Sequence, residues 1–121
     1  MPVFSRVRDG VLVLTVDGDY TANELRRVGF GAFEAESAPK KVPVLFDLSG
    51  AAGLAKKSSQ DIAATGAIFG AYRDRLTGIA VVAPADVHNL FDSQSLFGKE
   101  AGVRVTACQS HAEAREWLLK R

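Results

Sequence analysis

Asp47 closes an apolar run, VPVLFD, and is followed first by Ser49 and then by Lys56, Lys57, Ser58 and Ser59. A carboxylate at the end of a strand, with hydroxyls and lysines leading into a helix start, supplies donors and cations suited to holding an anion or a phosphate. The segment 42–69 is therefore the first place to expect a site. Asp47, Ser49, Lys56, Lys57, Ser58 and Ser59 are its ligand- or partner-binding candidates. General acid–base chemistry needs a second group within reach, and no carboxylate or histidine stands near Asp47 in sequence. Asp47 then reads as a carboxylate that accepts hydrogen bonds from its own loop. Ser58 has an equally plain role as a helix cap, a contribution of about 1 kcal/mol.

The other residues with ligand or nucleophile chemistry are His88, Cys108 and His111. Cys108 and His111 are three apart across a strand-to-helix boundary and lack a third partner readable from sequence. A core thiol and a first-turn helix residue are expected, not a metal site or a triad. Neither a Walker sequence nor a GxGxxG turn occurs, so no cofactor is expected. Gly66 and Gly70 fall inside a helical pattern and suit close helix packing. Leu90, Phe91, Leu96 and Phe97 exceed what one core-facing stripe requires. Phe91 and Phe97 are accordingly candidates for a dimer contact or the lid of an apolar pocket, against the simpler reading of core packing. Phe30 and Phe33 can add to the same surface.

These residues depend on the elements that carry them. Two β-branched runs, 3–7 and 11–16, flank Arg8-Asp9-Gly10, and Asp-Gly between such runs predicts a hairpin. Thr21-Ala22-Asn23-Glu24 is a capping box that opens a helix over 21–37, ended by Pro39. The unbroken apolar run 42–48 predicts a strand covered on both faces, hence an interior one. An irregular loop over 50–57 leads to a second capping signature at Ser58, with helical spacing continuing through Ile62, Gly66, Phe69 and Leu76. A strand over 79–83 follows, then a third helix carrying Val87, Leu90, Phe91 and Phe97 and ended by Gly98 or Gly102. A strand over 103–108 and a helix opened by Ser110-His111-Ala112-Glu113 complete the chain. The order β-β-α-β-α-β-α-β-α predicts an α/β fold: a mixed sheet of about five strands, largely parallel, with a hairpin strand at one edge and four helices.

At 121 residues, the chain suits one domain spanning 1–121. Hydrophobic residues make up 47% and charged residues 24%, which argues against disorder. Fifteen basic and fourteen acidic residues leave a net charge of +1, so no overall field draws the chain to nucleic acid or an anionic membrane. The single cysteine excludes an internal disulfide and fits a reducing compartment. No secretory signal is visible at the amino terminus, and no apolar run approaches the roughly 20 residues of a membrane span. A cytoplasmic location is expected.

The VPVLFDLSG strand at 42–50, the helix from Ser58, the TGIAVVAP strand at 77–84 and the closing VRVTACQSHAEAREWLLKR from Val103 have the order and spacing of a known fold family. The chain resembles the SpoIIAA-like family, STAS-type domains related to anti-sigma-factor antagonists and sharing features with Sec14-type lipid-binding domains. The resemblance covers most of the chain. It implies a non-catalytic regulatory or protein-interaction module, with the loop 47–59 and the third helix as its surface. Its Sec14-type side implies instead a carrier or sensor of a small apolar or anionic, lipid-like ligand. In the antagonists, a serine opening the helix after this strand is phosphorylated and thereby controls binding of a partner kinase. Ser58 and Ser59 occupy that place here, with Lys56 and Lys57 beside them to neutralise a phosphate. The family's aspartate before the serine is replaced by Lys57. The expected partners are thus a regulatory protein or small ligand and a second copy in a homodimer.

Overall fold

A computed structural model describes residues 3–34 and 41–120. Strands β1 (Val3–Arg8) and β2 (Val11–Gly18) form the expected hairpin. Asp9 and Gly10, at φ 53° and 79°, take up its positive-φ turn, which is why Asp-Gly stands there. The chain continues through helix α1 (Ala22–Glu34), strand β3 (Val42–Ala51), helix α2 (Ser59–Gly70), strand β4 (Leu76–Val82), helix α3 (Leu96–Ala101), strand β5 (Val105–Cys108) and helix α4 (His111–Leu119). The sheet order is β1-β2-β3-β4-β5, with β1 antiparallel to β2 and every other pair parallel.

The unalternating strand β3 lies in the centre of the sheet, as its apolar run requires. Val44, Phe46 and Leu48 face a core shared with α1, α2 and α3, whereas Leu45 faces a smaller one closed by Ala114 and Leu118 of α4. Pro43 has no N–H to give to the ladder, and the pairing of β3 with β4 shifts register beside it.

Several expectations need correction. Helix α2 stops at Gly70, and Leu76 belongs to β4, because a 3₁₀ turn over Arg73–Arg75 intervenes. The single third helix is two pieces, a 3₁₀ turn over Ala85–Leu90 and the short α3. Asp92 divides them: its carboxylate accepts the Gln94 and Ser95 N–H groups, and Ser95 caps α3 through the Gly98 N–H. Gly102, at φ 71°, rather than Gly98 closes α3. The loop over 50–57 is also more regular than its composition implies. Ala51 still pairs with Gly18, and a 3₁₀ turn over Leu54–Lys56 buries Leu54 in the larger core. The expected end of the first helix near Ser37 and Pro39 lies outside the described residues.

Candidate functional site at the carboxyl ends of the strands

Asp47 pairs in register with Thr15 of β2 and with Val82, the last residue of β4, so it stands level with the carboxyl end of β4 while β2 and β3 run on to Gly18 and Ala51. Its side chain is only 11% exposed. Oδ1 accepts the Ser49 N–H at 2.9 Å and the Ser49 hydroxyl at 2.6 Å. Oδ2 lies 2.7 Å from His111 Nε2. His111 is the first residue of α4, placed by Ser110, whose side chain caps the Glu113 N–H. The two halves of this pair are 64 residues apart. Sequence reasoning left Asp47 without a partner and read His111 as an ordinary first-turn residue. The signal that was available is positional: α4 follows β5, and a parallel sheet brings all its strand ends to one side.

Burial by itself pushes the Asp47 carboxyl up, but the bonds from the Ser49 hydroxyl, His111 and the Ser49 N–H outweigh it and hold it below the usual carboxylate range. The ionised carboxylate therefore accepts three donors when Nε2 carries a proton. It sits between Ser49 and His111. In a serine–histidine–aspartate relay the imidazole stands between hydroxyl and carboxylate, so this arrangement positions the imidazole without activating Ser49. Beyond the pair, Ser49, Ala83, Pro84, Ala85 and Gln109 line an open cleft of about 290 Å³.

His88 fixes the floor of the same end. Its Nε2 lies 2.8 Å from the Ala83 carbonyl and 3.1 Å from that of Cys108, two acceptors that require Nε2 to carry the hydrogen. His88 thus staples the ends of β4 and β5. Burial raises the Cys108 thiol, helped by Glu113, so it is a core thiol and not a ready nucleophile. Among the described residues, no group of three or more histidine, cysteine, aspartate or glutamate side chains is placed to hold a metal.

The second half of the sequence-predicted site is separate. Ser58 is the N-cap of α2, its hydroxyl oxygen accepting the Asp61 N–H at 3.1 Å, while Ser59 is the exposed first helical residue. Lys56 is exposed in the preceding 3₁₀ turn. Lys57 turns to the β2–α1 connection. Its Nζ donates to the Tyr20 carbonyl at 3.1 Å, lies 3.8 Å from Asp19 and sits 4.3 Å from the centre of the Tyr20 ring. Thr65 gives its hydroxyl hydrogen to the Asp61 carbonyl, so the buried Tyr20 hydroxyl donates to Thr65 Oγ1 at 3.3 Å. Burial raises the Tyr20 phenol.

Phe91 and Phe97 do not line a surface. Both are fully buried, and Phe97 packs against Phe46, Phe69 and Phe91 at ring separations of 5.3 to 6.2 Å. Leu96, 47% exposed, is the large apolar side chain that α3 offers to solvent. Phe33 is buried and stacks on Tyr72 with ring centres 4.6 Å apart; Phe30 meets the same ring edge-on. A methyl built on Gly66 would collide with the Phe97 carbonyl, and one on Gly70 with the Glu100 carbonyl, so α2 and α3 touch backbone to backbone. The close-packing role expected of these glycines is the one they have.

No model of a known protein family matches the sequence, and no curated protein does. The structure is similar to that of an uncharacterised protein of the DUF3478 family with a SpoIIAA-like fold from Shewanella loihica PV-4. The TM-score is 0.64 at 11% sequence identity, and the match covers 96% of this chain and 91% of the other. Identity this low speaks to architecture alone. No described helix is long and apolar enough to cross a membrane. A five-stranded mixed sheet with α1 to α3 on one face and α4 on the other, matched over nearly its whole length, gives this chain the SpoIIAA-like fold that its segment order predicted.

Proposed function

We propose that the protein is a non-catalytic regulatory module that binds a protein partner through residues 48–59, which comprise the end of β3, its connection to α2 and the first residue of that helix, with Ser59 as its phosphate acceptor. The observation that carries this reading is the backbone contact of α2 with α3 at Gly66 and Gly70. Together with the phenylalanine cluster it fills the space in which an apolar cargo would have to sit, which favours docking at the surface over carriage. The Asp47-centred order of Ser49 and His111 supports a positioning role over catalysis.

Ser59 is the better acceptor because it is exposed at the first turn of a 12-residue helix, whereas the Ser58 hydroxyl already caps Asp61. A phosphate there meets the helix dipole and free N–H groups. The test is incubation with serine kinases from the same cell, followed by intact-mass measurement of wild type, Ser58→Ala and Ser59→Ala. One phosphate is expected on wild type and Ser58→Ala and none on Ser59→Ala. Failure of every kinase to modify either serine removes the switch.

A further inference from the structure

We propose a second site, at the opposite end of the sheet, that binds an amphiphilic anion: a phosphate or carboxylate carried on a small apolar body. The cleft there has a volume of about 740 Å³ and is built from the β1–β2 turn, the starts of β3 and β4, the approach to β5 and the end of α4. That volume is in the range of small-molecule sites. Lys41, Arg104 and Lys120 line it against one carboxylate, Asp9, which lies 4.0 Å from Arg8. The chain as a whole is nearly neutral, so this concentration of positive charge is local.

Arg104 marks the cleft as built. Its guanidinium lies 4.1 Å from the centre of the Trp117 ring, Nε donates to the Thr77 carbonyl at 3.2 Å, and Nη2 donates to the Leu118 carbonyl at 3.3 Å. Stacking and two carbonyls hold the fork in one orientation at the lining of the cleft. Gly78 makes room for the arrangement: a methyl there would lie 2.9 Å from Arg104 Nε and 3.4 Å from Trp117. The bond to Leu118 also covers one carbonyl of the α4 carboxyl end, whose partial negative charge would otherwise repel an anion. Pro43, Leu118 and Leu119 supply the apolar wall, and Leu119 is 60% exposed although apolar. Lys41 and Lys120 form no ion pair with another described residue. Two ammonium groups, one fixed guanidinium and an apolar wall recognise an anionic headgroup on a hydrophobic stem.

Titration of the full chain with inorganic phosphate, phenyl phosphate and benzyl alcohol, followed by amide and Arg104 Nε–H chemical shifts, tests this. Saturable shifts at Gly10, Thr77, Arg104 and Lys120 are expected with both phosphates, with phenyl phosphate about tenfold tighter through its buried ring, and none with the alcohol. The exposed Lys41→Ala/Lys120→Ala pair keeps the fold and weakens phenyl phosphate about fivefold. Arg104→Lys, checked for folding by circular dichroism, weakens it further because the fixed fork is lost. Non-saturating shifts, equal response to the alcohol, or binding that both variants leave unchanged would overturn the site.

Discussion

Asp47 carries the largest electrostatic interest of any single residue here. Its folded-state pKa lies below the unfolded value, so its contribution to stability is fully present above about pH 4 and is lost as pH falls through the folded pKa. Urea unfolding of wild type at pH 7 and pH 3 should show this loss, and Asp47→Asn should flatten part of it. At pH 7 the same substitution is expected to cost about 1–3 kcal/mol, because the buried site keeps its donors and loses the charge they satisfy. An unchanged pH dependence in Asp47→Asn would assign the acid sensitivity to other carboxylates.

At the scale of elements, α2 and α3 meet backbone to backbone at Gly66 and Gly70. Gly66→Ala places a methyl against the Phe97 backbone, which no rotamer change can relieve, and is expected to cost about 1–3 kcal/mol. Gly31 is the control. It is exposed in α1, and a methyl added at its Cα would have nothing within 4 Å, so Gly31→Ala should stabilise by about 0.5–1 kcal/mol through helix propensity alone. Thermal denaturation of the two variants side by side separates steric from propensity effects, and opposite signs are the expected result. Helix α2 does not reach Leu76 because Ala71 and the 3₁₀ turn at Arg73–Arg75 redirect the chain into β4, a choice made by packing and not by the residue pattern.

At the scale of the whole molecule, the sheet is covered unequally, with three helices on one face and α4 alone on the other. Strand β3 is enclosed from both sides, while β1 is an edge with Phe4 54% and Val7 44% exposed. Amide hydrogen exchange should therefore be slowest for residues 44–47 and fastest in β1, with the β3 amides opening only by global unfolding. Comparable protection of β1 and β3 would mean that the edge is covered in solution. The two clefts lie at opposite ends of the strands, one by Asp47 and His111, the other by Arg104 and Lys120.

Element type and order were legible in the residues because turn and cap chemistry is local: Asp9-Gly10, Thr21 to Glu24, Ser58 and Ser110 each act within four positions. The interior place of β3 was legible from hydrophobicity without alternation. Half of the candidate site was legible too, as Asp47 and the serines at a helix start. Its other half was decided by the tertiary structure, since only the parallel crossover brings His111 to Asp47, directs Lys57 to Tyr20, and sinks Phe91 and Phe97 into the core. Local signals act over a turn or a strand, whereas these pairings depend on which strand ends become neighbours, and that is a property of the assembled sheet.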